Sequence, residues 1–103
     1  MWTAAGGKDY AGKPRPVVIV QSDAFDATES VTVCGLTTSP TKAPLARPLI
    51  EPNETNGLKV TCCLMADKIT TMPRAKLGNR LGRLVDEDIL RMNRVILVFL
   101  GAG

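Results

Sequence analysis

Histidine is absent from the 103 residues. That absence removes Ser-His-Asp and Cys-His catalysis and any zinc site built on imidazole. Cysteine is scarce: Cys34, Cys62 and Cys63 are three in number, two of them adjacent, with no Cys-x-x-Cys spacing. An odd count in this arrangement gives no disulfide framework, so the thiols read as small core hydrophobes of a chain kept in a reducing compartment. Aromatics number four, Trp2, Tyr10, Phe25 and Phe99. Trp2, Tyr10 and Phe25 are the possible base-stacking rings, although Trp2 reads more simply as core, as does Phe99. Long apolar runs are also missing. The longest, Val95 to Leu100, is six residues, far below the ~20 that span a bilayer. Residues 1–16 hold no apolar h-region of a secretory signal. A cytoplasmic protein with no membrane partner is therefore expected.

What is present is ordinary for one folded domain over residues 1–103: 45% apolar and 22% charged residues. Thirteen basic against ten acidic residues leave a net charge of +3, too small an excess to establish a nucleic-acid partner by itself. The acids fall in three groups, Asp23/Asp26, Glu51/Glu54 and Asp86/Glu87/Asp88. All read as solvated loop acids or acids opening a helix, so no metal site and no cofactor is expected.

The hydrophobic pattern predicts mostly strands. Val17-Val18-Ile19-Val20 is a β-branched run, hence a buried strand. Ser30 to Leu36 alternates, with Val31, Val33 and Gly35 on one face, and reads as its antiparallel neighbour. Pro48 to Glu51 predicts a short strand. Asn56-Gly57 is a hairpin signal, followed by strands at Leu58–Met65, Asp67–Met72 and within Leu77–Leu84. A helix opens at Asp86, with Asp86 as its N-cap and Ile89, Leu90, Met92, Asn93, Ile96 and Leu97 at helical spacing. Gly101 is placed to end it. The expected fold is mainly β with one C-terminal α-helix, a small barrel with the helix packed on it.

With no histidine and no acid cluster, any chemistry must run on arginine, lysine, hydroxyl, carboxylate or backbone groups. Cleavage of RNA by its own 2′-OH suits that set. It needs in-line geometry, proton transfer and neutralisation of charge at phosphorus, but no protein nucleophile. Arg15, stiffened between Pro14 and Pro16, can hold two phosphate oxygens in its fork. Thr37, ending the second strand, offers a hydroxyl. Lys13, Lys42, Arg47, Arg74, Lys76 and Arg80 lie in loops or near strand ends. They are candidate RNA-binding residues if they share a face with Arg15, and scattered solubilising charges otherwise.

Lys13-Pro14-Arg15-Pro16-Val17-Val18-Ile19-Val20 resembles the opening signature of the MazF/PemK toxin family, in which a Gly/basic loop and an Arg-Pro lead into an apolar strand. Cys34-Gly35-Leu36-Thr37-Thr38 is similar to the second family block. Asn56-Gly57-Leu58 with Leu64 to Thr71 resembles the third, and Leu81-Gly82-Arg83-Leu84 with Asp86 to Gly101 resembles the closing strand and helix. The blocks follow in order across nearly the whole chain. Ahead of Trp2 the family's usual Arg-Gly-Asp-Ile/Val opening is not present. The resemblance implies a small SH3-like barrel of the MazF–CcdB type and a homodimer. It implies metal-independent cleavage of single-stranded RNA or mRNA to a 2′,3′-cyclic phosphate, with Arg15 and Thr37 catalytic. Asp9 is the nearest candidate for an acidic partner of Arg15. It further implies an antitoxin whose acidic C-terminal tail covers the RNA groove, with operator DNA reached only through that antitoxin. Two other readings stay open: a non-enzymatic gyrase poison of the same fold, and an inactive nucleic-acid-binding module.

Overall fold

The computed structural model describes residues 1–4, 15–39 and 46–102. Six strands and one helix organise them: β1 Trp2–Ala4, β2 Arg15–Ile19, β3 Ser30–Thr37, β4 Leu49–Ile50, β5 Cys62–Pro73, β6 Leu77–Arg80 and α1 Asp86–Phe99. The strands form one curled sheet in the order β4-β5-β3-β2-β1-β6, and every neighbouring pair is antiparallel. The mainly-β architecture with a C-terminal helix is thus as the sequence predicts, in the form of a half-barrel. β1 pairs on both sides, with β2 and with β6.

Strand alternation divides the apolar residues between two faces. On one face Val18, Cys34, Leu36, Ile50 and Leu64 pack with Met92, Ile89 and Ile96 of the helix. Leu36, Ile50 and Leu64 are fully buried, and each such side chain stabilises the fold by roughly 1.5–3 kcal/mol. On the other face Ala4, Val17, Val31 and Val33 form a smaller cluster with Trp2 and Met72 against it. All three cysteines are buried and free. Burial pushes the Cys34 thiol up to about 12, with the Asp67 carboxylate adding to the effect, so this sulfur stays neutral and packs as a hydrophobe.

Several expectations are corrected. The two strands predicted at 58–65 and 67–72 are one, β5, with an irregularity where Gly35 alone faces Met65 to Lys68. The Asn56-Gly57 pair does not make a two-residue hairpin. Asn56, fully buried, accepts from the Asn53 and Leu58 amides and donates to the Glu51 carbonyl, while its own amide donates to Asn53 Oδ1. Gly57 follows at φ +71°, where a Cβ would collide with the Leu81 carbonyl, so the turn is clamped against the 81–82 segment. The helix N-cap is Val85, without a side-chain cap bond, and Asp86 stands inside the first turn with Glu87 and Asp88, where acids favour the helix dipole. The C-terminal end is as expected. Gly101 takes φ +73°, its amide donates to the Val98 carbonyl, and that of Ala102 donates to the Leu97 carbonyl, a Schellman closure. Phe99, expected in the core, is 50% exposed, and Leu90, Leu97, Val98 and Leu100 are exposed with it. α1 is apolar on more than one side, and the sheet covers only the stripe of Ile89, Met92 and Ile96.

Candidate active site

The site is built by a single cross-strand row. Ala4 of β1 pairs with Leu77 on one side and with Arg15 on the other. Thr37 of β3 pairs with Cys63, and Cys63 with Leu49 of β4. Between these halves lies the β2–β3 ladder, in which Val17 faces Gly35 and Val18 faces Cys34. Carried two residues on, the same register sets Arg15 against Thr37. Directly opposed residues on antiparallel neighbours have Cβ atoms roughly 4.5–5.5 Å apart and point to the same face. That face is the one bearing Val17, Val31 and Val33, away from α1.

Each of the two side chains is prepared locally. Arg15 opens β2 ahead of Pro16, whose ring restricts the backbone at Arg15, and it is half-buried. Thr37 is also half-buried, and its Oγ1 accepts from the Ser39 amide at 3.2 Å. With a lone pair engaged by that amide, the hydroxyl hydrogen is left to point outward, as a donor. On that extended register, a fork of cationic N–H donors and a hydroxyl free to donate would stand side by side, an arrangement suited to an anionic oxygen.

The other predicted residues are distributed unevenly. Lys13, Lys42 and Asp9 lie outside the described residues. Arg47 does reach this region, but as half of an ion pair: Nε donates to Asp67 Oδ1 at 2.9 Å and Nη2 donates to Oδ2 at 3.1 Å. The two side chains are 17% and 26% exposed. Those hydrogen bonds hold the Asp67 carboxyl below the usual carboxylate range, so the pair is ionised at neutral pH. Arg74 turns elsewhere, donating to the Thr28 carbonyl and to Thr28 Oγ1. Thr28 lies in the turn before β3, nine residues from Thr37, roughly 30 Å by strand rise. Lys76 is exposed in the short 3-10 helix Arg74–Lys76, beside Leu77 of the row, and Arg80 is exposed at the end of β6 opposite Trp2. Asp67 was not among the residues singled out from the sequence. Its partner is 20 positions away, and no local pattern signals the pair. Among the described residues, no three His, Cys, Asp or Glu side chains converge in a way that could hold a metal ion. No described helix is long and apolar enough to cross a membrane.

Residues 1–100 match the family model of the PemK-like, MazF-like toxin of type II toxin-antitoxin systems. The chain is 54% identical over 101 residues to a probable endoribonuclease MazF of Mycolicibacterium smegmatis, covering 98% of this chain and 93% of the relative. Among solved structures, Mycobacterium tuberculosis toxin MazF-mt6 superposes with a TM-score of 0.80 at 21% identity, over 100% of this chain and 99% of that one. An endoribonuclease in complex with its cognate antitoxin from a mycobacterial species gives 0.78 at 22% identity, over 99% and 91%. The family match and the relative each span nearly the whole chain, which belongs to the PemK-like, MazF-like toxin family of type II toxin-antitoxin systems.

Proposed function

We propose that this toxin is an endoribonuclease that cleaves single-stranded RNA between Arg15 and Thr37, using the substrate's own 2′-OH and no metal. The observation that carries the reading is the β2–β3 register, which pairs Val17 with Gly35 and, continued two residues on, would set Arg15 against Thr37 on one open face. In the reaction the 2′-oxygen bonds to phosphorus as the P–O5′ bond breaks, and a 2′,3′-cyclic phosphate is left. The Arg15 fork takes the non-bridging oxygens, whose charge grows in the transition state. The Thr37 hydroxyl, held by the Ser39 amide, donates to the same group. The 2′-proton passes to a base, for which Asp9 is the acid the sequence offers, and the departing 5′-oxygen takes a proton from solvent water to leave as the 5′-hydroxyl.

The 54%-identical relative is named a probable endoribonuclease, which supports the same activity here. A solved neighbour was captured with its cognate antitoxin, which supports an antitoxin partner here; its acidic C-terminal tail would occupy the RNA face. Operator DNA would be reached through that antitoxin, and the complex would act in the cytoplasm, where mRNA is found. The exposed apolar residues of α1 and its C-cap, Leu90, Leu97, Val98, Phe99 and Leu100, are candidates for the two-fold contact of a homodimer.

The test is incubation of purified protein with a long single-stranded RNA in excess EDTA, with the new ends identified. Cleavage to 2′,3′-cyclic phosphate and 5′-hydroxyl ends is expected. Activity that vanishes in EDTA and returns with magnesium would overturn the mechanism. An intact RNA under both conditions would return the protein to the gyrase-poison or inactive-module reading.

A further inference from the structure

Arg47 is by sequence a candidate phosphate contact, yet its charge is already cancelled by Asp67. The side-on geometry of the pair says what remains. Asp67 occupies Nε and one proton of Nη2. A guanidinium carries five N–H donors, so the terminal Nη1–Nη2 fork keeps two parallel donors. Among the described residues no acceptor takes them. The backbone holds the arginine in place from both sides: the Leu64 amide donates to the Pro48 carbonyl at 2.9 Å and the Ala66 amide donates to the Ala46 carbonyl at 3.0 Å. These bonds continue the β4–β5 register through Pro48 and Ala46. By alternation Arg47 then falls on the face of Leu49 and Cys63, and so on the face of Thr37.

Distance separates its role from that of Arg15. Thr37 and Arg47 are two strand spacings and about one pleat repeat apart, roughly 12 Å between backbones by standard sheet dimensions. Arg47 is therefore too far to share the scissile phosphate and close enough to meet a neighbouring nucleotide. A neutralised, rigid, two-donor fork is poorly suited to attracting phosphate, which rewards net positive charge. It suits a base edge carrying two adjacent acceptors, which in single-stranded RNA is the O6/N7 edge of guanine.

We propose that Arg47, locked side-on by Asp67, is a specificity-determining residue of the toxin that reads a guanine one or two nucleotides from the cleaved bond. The proposal rests on the ribonuclease reading above and adds to it which side chain selects the base. Asp67 is a positioning residue, acting through Arg47.

The experiment compares wild type, Arg47→Ala, Arg47→Lys, Asp67→Asn and Arg15→Ala in two assays. One sequences the cut sites in a randomised single-stranded RNA. The other measures binding of non-cleavable oligonucleotides, with a 2′-deoxy sugar at the cut position, that differ only in guanine against the other bases, across a salt series. Wild type should show a guanine preference at one position. Arg47→Ala and Arg47→Lys should each relax that preference by roughly 5–150-fold, the span of 1–3 kcal/mol, and Asp67→Asn should relax it partly. Cutting at the sites that remain should continue. The salt slope of binding should be unchanged in Arg47→Ala, whereas Arg15→Ala should lower it by about one charge. A wild type without guanine preference, an unaltered cut-site preference in Arg47→Ala, or a salt slope lowered by about one charge would each overturn the proposal while leaving the ribonuclease assignment intact. RNA left uncut by wild type would instead remove the assignment itself, and the binding assay would then still decide whether Arg47 selects guanine.

Discussion

The two faces of the sheet are made by the same strands and differ in what covers them. On the helix side Val18, Cys34, Leu36 and Leu64 meet Ile89, Met92 and Ile96, and the surface is closed. On the far side the apolar cluster of Ala4, Val17, Val31 and Val33 is short. It gives way along one row to Arg15 and Thr37, with the Arg47–Asp67 pair nearby. The period of two allows this division: a strand residue can serve the core while its neighbour serves a substrate. Leu36 and Thr37 are consecutive, and one is 1% exposed while the other borders the open face. Substitutions on the two faces should therefore fail in different assays.

The largest effect is expected on the covered face. Leu36→Ala should lower unfolding free energy by about 2–5 kcal/mol, the range for a buried leucine truncated in a packed core, as read by denaturant titration. A loss below about 1 kcal/mol would mean this face is less tightly packed than its burial indicates. One residue on, Thr37→Ala should leave the denaturation midpoint nearly unmoved and slow RNA cleavage by roughly 100–1000-fold, the usual cost of removing one preorganised donor. Thr38→Ala, whose side chain alternates away, should lose much less. Equal losses for Thr37 and Thr38 would blur the separation of faces.

A smaller effect probes the exposed apolar residues of α1 that neither face covers. Phe99→Glu should weaken self-association by more than about 1 kcal/mol, the level that marks a contributing interface side chain, as measured by sedimentation over a micromolar concentration series. Wild-type protein that stays monomeric there would argue against a shared dimer. The smallest effect concerns the ion pair. The Arg47 hydrogen bonds lower the folded-state Asp67 pKa below 3.8, so its contribution is present above the unfolded value and is lost as pH falls through the folded one. The partly exposed pair contributes up to about 1 kcal/mol. The wild-type excess in stability over Asp67→Asn should accordingly shrink as pH drops below about 4; an excess unchanged from pH 7 to pH 2 would contradict the pair.

How much of this was legible in the sequence follows from the range of each interaction. β2 and β3 were readable because their β-branched runs and alternation are local, and so was their antiparallel pairing. The Schellman end at Gly101 was readable for the same reason. Continuous β5 was not, because Asp67-Lys68 interrupts its apolar pattern at the irregularity opposite Gly35. Asn56-Gly57 misled because the buried Asn56 side chain, through three hydrogen bonds made with Glu51, Asn53 and Leu58, sets the turn in place of a two-residue hairpin. Val85 displaced Asp86 as N-cap since acids favour the whole first turn and do not fix its first residue. The exposure of Phe99 depends on how little of α1 the sheet covers, and the Arg47–Asp67 pair on a contact 20 residues apart. Both are tertiary facts with no local signature.

The most direct test of the central claim is the rate at which Arg15→Ala cleaves single-stranded RNA in EDTA. The account predicts a loss of at least about 100-fold, little recovery in Arg15→Lys because lysine lacks the fork, and a denaturation midpoint equal to wild type. Cleavage by Arg15→Ala at the wild-type rate would contradict it, whatever the fold.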